Sequence, residues 1–360
     1  MKILIDIGHP GDFYVFKNTC LLLREKGHRI LFTVREGENE TVHLRHYGFD
    51  FDSIGRKKSS FIGKLSGLLL FTARICLVSL KFRPDLYMSH GSMFAGYSAR
   101  LFRKPHLALE DTGNMEQIRL SKPVSDVILS PDVLPLDFGP KHIRYRGYHE
   151  LAYLRPEYFT ANKDIYGFLK IPDGTPYAIL RFVSWSASHD IGQKGLSAED
   201  KITLVKMLSR KLQVFISSER NLDPDLEPYR ISIPVTKMHD ALAFATIYIG
   251  EGATMASEAG VLGIPSVYIS SIRISYTEDQ QKYGTVYNFS RLDDALETIN
   301  LLLDSPEARE KVKHGRTHLL VDKIDVTAFF TWFIENYPES AEIMKQNPDF
   351  QNHFIGSFHS

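Results

Sequence analysis

The chain has almost no cysteine. Of 360 residues only Cys20 and Cys76 carry thiols. Both sit in apolar helical surroundings, so a disulfide framework and a cysteine-based metal site are excluded, and buried free thiols are expected. Net charge is missing too. Lys plus Arg and Asp plus Glu both number 43, which gives no bulk reason to expect nucleic acid as a partner. No uninterrupted hydrophobic run is long enough for a bilayer. The most apolar stretch, Phe61 to Phe82, contains Lys64, Arg74 and Lys81. A basic run, Arg56-Lys57-Lys58, precedes it. The pair reads either as a patch that touches a membrane surface or as a solvated turn beside a core helix. The first residues enter a strand pattern directly, Lys2-Ile3-Leu4-Ile5-Asp6, without the features of a secretory leader. The expected location is the cytoplasm, with peripheral contact at the inner face of the membrane as an added expectation.

What is present is a globular composition, 43% hydrophobic and 24% charged, in a chain long enough for two domains of about 150 residues each. The first hundred residues alternate strand and helix. Ile3–Ile7, Arg29–Val34, Pro84–Ser89 and Lys104–Leu109 read as buried strands; Phe13–Lys26, Thr41–Tyr47, Lys64–Lys81 and Met93–Leu101 read as helices. The pattern restarts at Tyr177–Phe182. It continues through a helix capped by Ser197, a strand at Gln213–Ser217, a short helix at His239–Phe244 and a strand at Thr246–Ile249. The expected domains are 1–160 and 177–325, joined by a polar, proline-containing linker at 161–176. A helical tail, 326–360, carries Phe329, Phe330, Trp332 and Phe333 at helical spacing and crosses back to the first domain. Its last dozen residues are expected to be loose.

The clearest chemical constellation is Gly250-Glu251-Gly252-Ala253-Thr254, followed by Glu258, Gly263 and Pro265. A buried strand runs into two glycines, which let the backbone turn tightly and approach a ligand. The next helix starts near Ala253, and its free N–H groups and positive dipole end suit a diphosphate. Glu258 lies one turn further, where a carboxylate can accept from a ribose diol. The alternative is a plain strand-to-helix turn with Glu258 in solvent.

These residues resemble a family. Gly252-Ala253-Thr254-Met255-Ala256-Ser257-Glu258-Ala259 followed by Gly263-Ile264-Pro265 is similar to the nucleotide-binding signature of GT-B enzymes, which include glycosyltransferases and UDP-N-acetylglucosamine 2-epimerases. Gly8-His9-Pro10-Gly11-Asp12 with Gly27-His28-Arg29-Ile30 resembles the first strand–loop–helix unit of that class. Arg83 to Gly91, His106 to Glu110 and Glu116 to Arg119 resemble epimerase segments. The chain is similar over nearly its whole length, in scattered short blocks, to an uncharacterised prokaryotic family of such proteins. The resemblance implies a GT-B-like α/β fold: two Rossmann-like doubly wound domains facing a central cleft. It places Gly252, Ala253 and Thr254 on the diphosphate and Glu258 on the ribose, with Gly250 as a further binding candidate.

Two departures weaken the epimerase reading. Ser92 stands where epimerases have Asp, and Arg181 to His189 stands where they carry His-Arg-Arg-Glu-Asn. Glycosyl transfer is therefore the expected reaction, from a sugar nucleotide such as UDP-N-acetylglucosamine to a cell-surface glycan or lipid-linked acceptor. Epimerase or hydrolase chemistry and non-catalytic binding are the alternatives. Transfer needs a base and fixed positive charge or helix dipoles for the departing diphosphate. The base candidates are His9, Asp12, Glu110, Asp111 and Glu116, with His9 favoured because it follows a strand directly. His9 could instead cap locally, Asp12 could be a helix N-cap, and Glu110-Asp111 a solvated turn. Gly8 and Gly11 shape this loop. Arg181, Ser184, Ser218 and Arg220 follow strands of the second domain and are candidates for the phosphates, or ordinary loop residues. The spacing shows no cluster of metal ligands, so no metal and no cofactor are expected, and a monomer or homodimer is anticipated.

Overall fold

A computed structural model of the chain describes residues 1–35, 38–55, 61–183, 195–218 and 221–356, leaving aside the side chains of Pro10, 38–40 and 61–66. It divides into two units, Met1–Tyr153 with Ile324–Gly356, and Leu154–Lys323.

The first unit is built on seven strands: β1 (Lys2–Ile7), β2 (Arg29–Val34), β3 (Phe51–Ser53), β4 (Leu86–His90), β5 (His106–Leu109), β6 (Val127–Pro131) and β7 (His142–Tyr145). Their order is β3-β2-β1-β4-β5-β6-β7, and every pairing is parallel. Parallel strands are buried on both faces, and β1 is buried at five of its six positions accordingly. Leu4 and Tyr87 lie against Phe71, Ile75 and Ala99 of the helices Phe61–Phe82 and Met93–Leu101. Ile5 and its neighbour Phe32 point to the opposite face, where Phe13 of the helix Pro10–Glu25 meets Phe32. Each such fully buried side chain contributes about 1.5–3 kcal/mol relative to exposure.

The second unit has five strands: β8 (Tyr177–Phe182), β9 (Gln213–Ser218), β10 (Ile247–Gly250), β11 (Ser266–Ile269) and β12 (Val286–Phe289). They run parallel in the order β12-β11-β10-β8-β9. Alternation along β8 divides its residues between two cores, Ala178, Leu180 and Phe182 on one face, Tyr177 and Ile179 on the other. The helix Ala198–Leu208 starts with the expected reciprocal cap, Asp200 N donating to Ser197 Oγ at 3.0 Å and Ser197 N to Asp200 Oδ2 at 3.0 Å.

Several expectations need correction. The stretch 161–176 is not a linker: the helix Ile165–Leu169 buries Ile165, Tyr166 and Leu169 in the core beside Tyr177 and Tyr248. Apolar residues spaced on one short helix were enough to bury it, although the surrounding sequence is polar. The tail packs with the first unit through Val326–Glu335, and within the end expected to be loose Pro348–Phe354 forms a 3-10 helix. Phe350 stacks on Trp332 at 4.8 Å between ring centres, and Gln351 Oε1 accepts from Arg146 N at 2.7 Å. Cys20 is buried, whereas Cys76 is only half-buried. Among the described residues no helix is long and apolar enough to cross a membrane.

Candidate functional site

In a doubly wound sheet the strand order reverses at one point, and the loops there splay apart to leave room for a ligand. In the first unit this point lies between β1 and β4. His9 follows β1 and is the N-cap of the helix Pro10–Glu25; its Nδ1 accepts from Gly11 N at 3.1 Å. A neutral His9 therefore carries its proton on Nε2 and presents a donor. Asp12 is the third helical residue, not the cap. Its Oδ2 accepts from Gly8 N at 2.9 Å and His9 N at 3.0 Å, and its Oδ1 faces His90 Nδ1 at 2.9 Å.

From His90, the last residue of β4, the contacts continue. His90 Nε2 meets Asp111 Oδ1 at 2.8 Å, and Asp111 Oδ2 meets His149 Nδ1 at 3.0 Å. Four titratable side chains from the ends of β1, β4, β5 and β7 thus form one line, Asp12–His90–Asp111–His149. Burial opposes charge on His90, but Asp111 and Asp12 outweigh it and hold its pKa well above the usual histidine range. Burial likewise opposes ionisation of Asp111, yet His149 and His90 keep it well below the usual carboxylate range. Asp12 is lowered in the same way, against burial, by His90 and the Gly8 N–H. Behind this line Asp6 is buried and its pKa raised by burial, offset in part by Arg35 and by hydrogen bonds from Ser92 and Thr33.

Glu110 is buried, not a solvated turn residue. Its Oε1 accepts from Thr112 N at 2.9 Å, Thr112 Oγ1 at 2.8 Å and Gly113 N at 2.9 Å, which ties a turn and sets the direction of Asp111. Glu116 is exposed in the first turn of the helix Met115–Ser121, and its described contacts do not reach the line. Ser92, at the place of the epimerase Asp, caps the helix Met93–Leu101 and donates to Asp6 Oδ2 at 2.5 Å.

The second sheet reverses between β8 and β10. Here backbone dominates. A Cβ on Gly250 would lie 2.6 Å from the Arg181 carbonyl oxygen, so only glycine fits beside that strand. Gly252 is the N-cap of the helix Ala253–Leu262 and offers no side-chain cap, leaving first-turn N–H groups beside the exposed Thr254. Glu251, only a link in the motif when read from sequence, is a buried clamp. Its Oε2 accepts from Val183 N at 2.9 Å, its Oε1 from Leu196 N at 2.7 Å, and Lys201 Nζ lies 3.3 Å away. Glu258 is buried rather than solvated, with Oε1 3.0 Å from His239 Nε2. Arg181 donates to Ser217 Oγ at 2.9 Å, and the Ser218 carbonyl accepts from Arg230 at 3.4 Å. Ser184 and Arg220, like Trp185, His189 and Arg56-Lys57-Lys58, fall outside the described residues.

Two parallel doubly wound sheets, each with a reversal of strand order, make a GT-B-like fold. The chain belongs to the family described as protein of unknown function, DUF354, whose model matches residues 1–328. No curated protein matches it. Solved structures share the fold at low identity. UDP-GlcNAc 2-epimerase from Neisseria meningitidis, bound to UDP-GlcNAc, is 15% identical with a TM-score of 0.62, over 89% of this chain and 98% of that one. MnaA of S. aureus, solved with UDP, gives 12% identity and a TM-score of 0.67, over 94% and 97%. The Streptomyces sp. SF2575 glycosyltransferase SsfS6 gives 12% and 0.55, over 93% and 100%.

Proposed function

We propose that this protein is a glycosyltransferase that takes its sugar from a nucleoside diphosphate donor and passes it to a glycan or lipid-linked acceptor. The observation that carries the reading is the reversal point of the second sheet. Gly250 allows the close backbone approach, the free N–H groups at Ala253 and Thr254 receive the diphosphate, and Glu258, oriented by His239, meets the ribose. The first unit serves the acceptor. His9 acts there as a donor, beside the line that begins at Asp12. Transfer is favoured over epimerisation because Glu110 is consumed by a turn and Glu116 stands in solvent.

A lipid-linked acceptor at the inner face of the membrane is supported by one surface. On the helix Phe61–Phe82, Leu69 is 74%, Leu77 60% and Leu80 60% exposed, and Leu101 of the adjoining helix is 70% exposed. Exposed Lys81, Arg83, Arg100, Arg103 and Lys104 accompany them. Apolar side chains with basic companions match an anionic lipid surface.

The test is thermal stabilisation by UDP, other nucleoside diphosphates and UDP-N-acetylglucosamine at millimolar concentration. A shift is expected with at least one, reduced in Glu258→Gln; no shift with any removes the reading. Solvent deuterium entering sugar C2 would instead establish epimerisation.

A further inference from the structure

We propose that His90, Asp111 and His149 bind one divalent transition-metal cation of the zinc class. The three donors come from sequence positions far apart, and the fold brings one ligand atom of each to within 4.8 Å of the others. Two imidazoles and one carboxylate suit zinc, cobalt or iron(II), whereas calcium and magnesium require oxygen ligands. Three protein ligands leave a coordination position open for a water or a hydroxyl.

The surroundings of the donors agree. A metal-bound histidine almost always gives its second ring N–H to a carboxylate or carbonyl, which fixes the ring. His90 has that arrangement: Nε2 faces Asp111, while Nδ1 lies 2.9 Å from Asp12 Oδ1. Asp12 is itself held by the Gly8 and His9 N–H groups, so the supporting carboxylate cannot swing away. Asp111 is placed by the turn that Glu110 ties. His149 is buried, and its Nδ1 side faces Asp111 at 3.0 Å. Charge balances as well. Asp12 and Asp111 supply two negative charges in a site with two histidines, the complement of one dication with neutral imidazoles.

Room is the remaining requirement. The donors now touch at 2.8 and 3.0 Å. A tetrahedral cation with bonds of about 2.0–2.1 Å needs ligand separations of about 3.3 Å, so the two short contacts, made to different oxygens of Asp111, open by roughly half an ångström while the widest separation, within 4.8 Å, closes. Side-chain rotation supplies that much. In the proposed transfer reaction the cation would lower the pKa of a coordinated acceptor hydroxyl. The site itself does not depend on that reading.

The experiment is metal analysis of the full-length chain, purified without a histidine tag from zinc-supplemented medium, with equilibrium dialysis against Zn²⁺ and a cobalt-substituted visible spectrum. One equivalent of zinc and an intense tetrahedral Co²⁺ band are expected. His90→Ala, Asp111→Asn and His149→Ala should each abolish stoichiometric binding, Asp12→Asn should weaken it by about 10–100-fold, and His46→Ala should leave it unchanged. The cobalt spectrum of the wild-type chain decides the matter even where a variant misfolds. Zinc well below one equivalent together with an octahedral cobalt spectrum would overturn the site, as would full binding in folded His90→Ala and His149→Ala. Nucleotide stabilisation, measured separately with the metal chelated, tells failure of this site from failure of the donor site.

Discussion

Between β1 and β4 the first sheet ends in four titratable side chains joined end to end, whereas between β8 and β10 the second ends in glycines and the uncapped start of a helix. Both use one buried carboxylate to fix the loop after a strand: Asp12 takes the N–H groups of Gly8 and His9, Glu251 those of Val183 and Leu196. The difference lies in what faces the ligand. A line of charged side chains is stable only when complete, because each buried charge needs its partner. A site made of backbone needs no partner, but it tolerates no added atom.

This contrast can be broken at either end. Asp111→Ala removes the carboxylate between two imidazoles, and about 3 kcal/mol of stability should be lost by denaturant unfolding in the presence of chelator. A loss within experimental error would mean that the line is not a stabilising unit. Gly250→Ala drives a Cβ against the Arg181 carbonyl, a backbone atom that cannot move alone, and should cost about 1–3 kcal/mol together with nucleotide-induced stabilisation. Gly8→Ala meets only the end of the Arg35 side chain, which can swing aside, so its cost should stay below about 1 kcal/mol. Equal effects at the two glycines would erase the distinction between the loops.

A pH experiment sharpens the comparison from behind the first site. His106 is fully buried between Ser89 and Ser125, and burial pushes its pKa down to about 3. The unfolded chain therefore takes the proton first as pH falls. Its contribution is complete above about pH 6.5 and declines by about 1.4 kcal/mol for each pH unit below, until the folded pKa is reached. His106→Gln should flatten that part of the stability–pH profile. A variant with the wild-type slope would show that this histidine is not the buried neutral group inferred.

Much of the fold was legible because parallel strands and their crossover helices write strong patterns. Arg29–Val34, Met93–Leu101 and Tyr177–Phe182 coincide with their expected limits. The strands that escaped, β3, β6, β7 and β12, are short, and β7 reads His-Ile-Arg-Tyr, with polar residues alternating. The glycine segment of the second unit was legible for the same local reason: strand, turn and helix start lie within a dozen residues. His149 was invisible. It falls in a stretch to which the sequence analysis assigns no element, and nothing in the spacing connects it to Asp111 or His90. Their partnership arises because β4, β5 and β7 end at the same edge of one sheet.

The sequence by itself determined two doubly wound sheets and the strand–glycine–helix turn after β10, since both depend on residues near one another along the chain. The tertiary structure alone decided which charged groups meet, that Asp12 serves His90, that Glu110 ties a turn and that Glu251 clamps two loop ends. Those outcomes depend on side chains converging from distant segments, and electrostatic pairing has no period that a sequence can display.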